Sequence, residues 1–204
     1  MTTKIVHQKK ANPIEIAKAL KRGKIIVFCP DTIYGFSAIA TDNIACEKIA
    51  ELKHRDNKPM LCLVGKNFNL SNYVSNLSFQ TKKIIDKFWP GPLTIILNKK
   101  DVFADIVTCG AKTIALRCPQ DDWCQTLLKE VNCPIVSTSV NLSGEPFLTS
   151  VNEIETKFGR DIDCIIEKDG CLNQQSTIID CTQEVPKIIR TGAISEKDLL
   201  KFLK

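Results

Sequence analysis

A chain of 204 residues that is 44% hydrophobic and 25% charged has the make-up of a soluble globular protein with a sizeable core. A formal charge of +5 and an aromatic content of 6% argue against a dedicated nucleic-acid binder that stacks bases on aromatic side chains, although an anionic ligand or weak RNA contact fits the mild excess. No apolar run approaches the ~20 residues of a membrane span, and the opening MTTKIVH lacks the apolar stretch of a secretory signal, so the expected location is the cytoplasm.

The elements follow in chain order. Asn12-Pro13 opens a helix, with Asn capping the first amides and Pro at the first helical position; Ile16, Ala17 and Leu20 make its apolar stripe and Gly23 ends it. Residues 24–29 read as a buried strand and 30–35, PDTIYG, as a loop at its end. Asp42 or Asn43 caps a helix running to about Lys53, and 60–64 is a strand. A helix over 78–89 turns Ile84, Ile85 and Phe88 inward and stops at Pro90-Gly91-Pro92. Strands are expected at 93–97, 113–116 and 134–136, with a helix at 123–131. Ser150 and Glu153 form a capping box for a helix to Phe158. Late strands at 162–166, 177–179 and 187–189 precede a last helix opened by Ser195. Helices and strands interleave without repeat or linker, so a single α+β (α/β-like) domain over residues 1–204 is expected.

The ten cysteines have no CxxC spacing, and only His7 and His54 could join them on a metal, so no zinc site is expected. Several lie in apolar runs, as in IIVFC at 25–29, where Cys acts as a small hydrophobe and reduced thiols are the expectation.

Polar segments adjoin the expected strands, which is where α/β folds collect ligands if the strand ends converge. STSVNLSG at 137–144 places five hydrogen-bonding side chains in eight residues; it is a turn or a grip for something polar. Lys53-His54-Arg55 ends a helix, where cations meet the negative end of the dipole or aim at a polyphosphate. Arg117, leaving a buried strand, needs an anion: an internal acid or a substrate carboxylate. Arg190 has the same two readings. There is no phosphate-binding GxxxxGK[ST] or GxGxxG sequence, no GxSxG, and no carboxylate pair at a defined spacing. The loops therefore suggest positioning and charge neutralisation around a charged ligand, without a covalent intermediate.

Seven pieces in order carry a resemblance: PDTIYG (30–35), Lys53-x-Arg55 with Lys58-Pro59, WPGPLT (89–94), TIALR (113–117), STSVNLSG (137–144), STI (176–178) and RTGA (190–193). Together they resemble the YrdC/Sua5 family, the threonylcarbamoyl-adenylate synthases, in the short form without an extra C-terminal domain. The resemblance implies a twisted mixed sheet flanked by helices, of the YrdC/RibB kind. It implies an enzyme that makes threonylcarbamoyl-AMP and pyrophosphate from L-threonine, bicarbonate and ATP, with Mg²⁺ carried by ATP. A partner complex would then pass the threonylcarbamoyl group to adenosine 37 of tRNA. By position, Lys53, Arg55, Ser139 and Asn141 match the family's KxR and SxN pairs at the nucleotide phosphates. Thr113 and Arg190 match nucleotide-binding positions; Arg117 and Ser176 match the threonine site, with Thr32 and Thr138 beside them. Three departures stand out. Cys29-Pro30 replaces Pro-Thr and removes a hydroxyl, the Arg55-to-Pro59 spacing is one residue short with Asp56 in place of Pro, and Val140 replaces Ala. An RNA-binding module, or a YciO-like relative with another nucleotide or carbamoyl reaction, are the competing readings.

Overall fold

The computed structural model describes residues 3–54, 58–75 and 77–203. The strands are β1 (Lys4–His7), β2 (Ile26–Phe28), β3 (Gly35–Ile39), β4 (Leu61–Leu63), β5 (Leu93–Asn98), β6 (Thr113–Arg117), β7 (Ile135–Ser139), β8 (Cys164–Glu167), β9 (Thr177–Asp180) and β10 (Lys187–Arg190). The helices are α1 (Pro13–Lys21), α2 (Asn43–Leu52), α3 (Phe79–Phe88), α4 (Asp105–Thr108), α5 (Asp122–Val131), α6 (Val151–Phe158) and α7 (Glu196–Leu203). Their starts follow the capping chemistry of the sequence: Asn12, Asp42, Ser78, Asp121 and Ser150 each accept a bond from a backbone amide of the first turn.

The strands join in one mixed sheet in the order β1-β8-β2-β3-β7-β4-β6-β5-β9-β10. Three elements were not expected from sequence: β1, α4 and β3. The expected PDTIYG loop gives way at Gly35 to β3, whose GFSAI is buried at every position and so shows no polar-apolar alternation. Gly35 lets the strands approach closely there: a Cβ would lie 2.6 Å from Ser137 Oγ on β7 and displace that hydroxyl.

Pairing register divides the sheet into two faces. Val27, Phe36, Ala38, Cys62, Ile95, Leu97, Ile114, Leu116, Val136, Ile165 and Ile179 belong to one face, and they join Ile49 of α2, Ile84 of α3, Ile154 of α6 and Leu199 of α7 in one core. On the other face, Ile26, Phe28, Ile39, Leu63, Ile135, Cys164 and Ile166 pack on Leu20 of α1 and on Cys124, Leu127 and Leu128 of α5. That cover does not extend over the β6-β5-β9 half of this second face. There Ile96, Thr113, Ala115, Ile178 and Asp180, with Leu61 at the adjoining end of β4, stay only half-buried. The fold thus leaves one patch of sheet open.

Cys29 and Cys171 are paired, whereas the sequence suggested thiols throughout. The end of β2 and the loop leading to β9 meet there, with Cα atoms 6.4 Å apart, a contact between residues 142 apart in the chain. Among the described residues the other eight cysteines are free, no helix is long and apolar enough to cross a membrane, and no three His, Cys, Asp or Glu side chains gather in a metal-binding group.

Candidate active site

The open patch is where the polar residues meet. The register places Thr113 and Arg117 (β6), Ser137 and Ser139 (β7), Thr94 (β5), Ser176 at the start of β9, and Arg190 (β10) on the same face. A cleft at its centre is lined by Thr32, Tyr34, Arg117, Ser137, Thr138, Ser139, Gln175, Ser176 and Arg190, with Leu61 in its floor. Thr113 is outside that lining; it lies four residues along β6 from Arg117, about 13 Å away, on the same open face. The strand pleat sets Thr138 opposite Phe36 on the covered face, so Thr138 contributes mainly backbone to the cleft. Arg55 lies outside the described residues.

Lys53 is not a mobile charge on the surface. It is 1% exposed. Its ammonium donates to the Ser139 carbonyl, to the Asn141 carbonyl at 3.0 Å and to Asn141 Oδ1 at 2.7 Å. Its own carbonyl accepts from Ser143 N at 2.7 Å. Ser139 Oγ donates to Asn141 Oδ1 at 2.6 Å, and Asn141 Nδ2 donates to the Glu145 carbonyl at 2.7 Å. The helix end therefore holds the STSVNLSG loop in one shape from behind, and of Lys53, Ser139 and Asn141 it is Ser139 that lines the cleft.

Arg117 is 1% exposed, among the largest fully buried side chains. Of the two readings open in the sequence, an internal acid is realised: Nη1 lies 2.9 Å from Asp31 Oδ1 and donates to Thr32 Oγ1 at 2.7 Å. Asp31 in turn accepts from Gln120 N at 3.1 Å. Burial lowers the Arg117 pKa, and Asp31 opposes that shift. Its Nε is buried with no hydrogen-bond partner among the described residues, and Arg117 is one of the residues that line the cleft. Arg190 is open to solvent on its outer side and donates from Nη2 to the Ser176 carbonyl at 2.8 Å. Desolvation and then the nearby Arg117 charge lower its pKa. Two guanidiniums thus flank a cleft whose lining holds no carboxylate, with Arg117 paired to Asp31 behind it.

Contacts that the sequence did not reveal tie the motif segments around the cleft together. Lys168 N donates to Tyr34 Oη at 3.0 Å, while Lys168 Nζ donates to the Pro30 carbonyl and to Asp121 Oδ2, both at 2.7 Å. Leu172 N and Asn173 N donate to the carbonyls of Asp31 and Thr32. Thr177 Oγ1 donates to the Ile194 carbonyl at 2.6 Å and accepts from Gly192 N and Ile194 N, tying the 190–194 turn to β9. A Cβ on Gly192 would strike the Gln175 carbonyl, so only glycine passes. Asp31 was readable as the acid of PDTIYG; the Lys168 and Thr177 contacts are between distant residues and had no sequence signal.

Fold and cleft together define an α+β protein with a mixed sheet and a cleft lined by arginines and hydroxyls, and the comparisons with known proteins place it more closely. A family model described as Telomere recombination (Sua5/YciO/YrdC) matches residues 18–192, and the chain belongs to that family. It is 30% identical over 186 residues to the threonylcarbamoyl-AMP synthase of Pyrococcus abyssi, covering 90% of this chain and 55% of the relative. It is 37% identical over 191 residues to a putative threonylcarbamoyl-AMP synthase of Methanocaldococcus jannaschii, covering 91% of this chain and 88% of the relative. The crystal structure of P. abyssi Sua5 complexed with L-threonine superposes with a TM-score of 0.88 at 28% identity, over 98% of this chain and 60% of that one. The chain thus spans little more than half the length of its P. abyssi relative.

Proposed function

We propose that this chain is an L-threonylcarbamoyladenylate synthase acting as a single catalytic unit over its 204 residues. The observation that carries the reading is the open sheet face shared by Arg117, Arg190, Ser139 and Ser176. It supplies cations and hydroxyls, and no carboxylate, to two anionic reactants and a triphosphate. L-Threonine would sit at the inner end, its carboxylate toward Arg117 and Ser176, with Thr32 and the Thr138 backbone beside it. ATP would run outward toward Thr113, its phosphates against Arg190 and Ser139, while Lys53 and Asn141 hold Ser139 in place.

In the reaction, the threonine amine attacks the bicarbonate carbon and water leaves. A carbamate oxygen then attacks the α-phosphorus of ATP, the bond to the β-phosphate breaks, and pyrophosphate departs. The side chains act by placing the reactants and offsetting their repulsion. Magnesium fits as a passenger on the ATP phosphates, because the lining offers it no carboxylate. The product is a mixed anhydride, suited to transfer by a partner complex onto tRNA adenosine 37, with the +5 charge permitting weak RNA contact.

The test is pyrophosphate release by the purified chain with bicarbonate and Mg-ATP, with and without L-threonine. Threonine-dependent release is expected. Its absence from folded protein overturns the reading; ATP turnover independent of threonine would favour a relative with another reaction, and salt-sensitive RNA binding without ATP binding an RNA module.

A further inference from the structure

The WPGPLT segment belongs to the shared motifs, yet none of its side chains lines the cleft. Its last residue, Thr94, lies on β5 beside β9, in a parallel pair that begins Leu93–Thr177 and Thr94–Ile178. Thr94 and Ser176 are 1% and 4% exposed, and their hydroxyl oxygens are 2.8 Å apart. Ser176 reaches the cleft and Thr94 does not.

We propose that Thr94 is a positioning residue that sets both the rotamer and the hydrogen-bond direction of Ser176, and so determines affinity for the amino-acid carboxylate. The proposal rests on the synthase reading for the identity of that ligand. A serine hydroxyl has one proton. To donate it to a carboxylate, Ser176 must accept from its neighbour, so the order runs Thr94 to Ser176 to ligand. Other contacts prepare Ser176 for this. Its carbonyl is occupied by Arg190 Nη2 at 2.8 Å, and the next residue, Thr177, is fixed through its own hydroxyl to Ile194, so the backbone is pinned and the side-chain rotor is the freedom left. In a buried site a hydroxyl without a partner turns toward whatever acceptor it finds, and Thr94 removes that option. Sequence order hides the pairing, because the two residues are 82 positions apart.

The experiment compares wild type, Thr94→Val and Thr94→Ser by calorimetric titration with L-threonine and with a non-hydrolysable ATP analogue, and by steady-state pyrophosphate release. Val keeps the shape and removes the hydroxyl; Ser keeps the hydroxyl. Thr94→Val is expected to weaken L-threonine binding about five-fold, the loss of one hydrogen bond, and to raise KM for threonine to match. Its ATP-analogue affinity and kcat should stay within about two-fold of wild type, and Thr94→Ser should restore threonine affinity. The positioning role is overturned if Thr94→Val binds threonine as wild type does, if Thr94→Ser is as weak as Thr94→Val, or if threonine, ATP analogue and kcat all fall together, which marks a structural role. Wild type that binds no L-threonine overturns the synthase reading itself, and with it the ligand on which the proposal rests.

Discussion

Replacing Lys53 by Met separates the two jobs a cation at this position can do. The substitution keeps an unbranched aliphatic stem and removes the ammonium, whose Nζ lies 5.7 Å from the Phe36 ring centre. The carbonyls of Ser139 and Asn141 lose this donor, while Asn141 Oδ1 loses one of two and keeps the Ser139 hydroxyl. A buried acceptor left unpaired costs about 1–3 kcal/mol, and each of these oxygens has a second lone pair that loop motion brings to water, so the loss sums to about 2–4 kcal/mol. For a protein of this size that is a fall of roughly 4–16 °C in Tm. Urea unfolding followed by tryptophan fluorescence, with pyrophosphate release measured alongside, reads both effects. Lys53→Met should be less stable and at least about 100-fold less active, because Ser139 no longer faces the cleft in a fixed shape. A variant as stable as wild type but inactive would refute the reasoning: the ammonium would then act on the ligand and not through the loop.

Further outcomes follow from the same geometry. Asp31→Ala leaves Arg117 buried without its acid and should lower unfolding free energy by about 3–5 kcal/mol, read in urea at neutral pH. Arg190→Ala should weaken binding of a non-hydrolysable ATP analogue by about ten-fold in calorimetry, as one charge-assisted contact is lost, while Tm changes little because the side chain is open on its outer side. Gly192→Ala should push the 190–194 turn off the Gln175 carbonyl and reduce the same affinity, with the far-UV spectrum unchanged. Thr177→Val removes the hydroxyl that joins Gly192 and Ile194, and should cost about 1–3 kcal/mol in urea unfolding.

Much of this protein was legible in its residue order, for local reasons. Asn12, Asp42, Ser78 and Ser150 start helices because a short side-chain oxygen next to the first turn needs only neighbours two or three residues away. Buried runs such as IVF of β2 and LTIIL in β5 read as strands by composition alone. The motifs carried the family and the names of most site residues. β3 escaped because GFSAI is short, built partly from small residues and buried on both sides, so neither propensity nor alternation marks it. Tertiary structure alone decided which charges are free. Lys53 and Arg117 look alike in sequence, as cations at element ends; folding buries both, turning one into a clamp on the loop that carries Ser139 and giving the other an internal acid in Asp31. It also decided that Thr94 stands behind Ser176 and that α1 and α5 stop short of β6-β5-β9. Such facts depend on strand order and register, which bring together residues 80 or more positions apart, and no local preference of the chain encodes a distance of that kind.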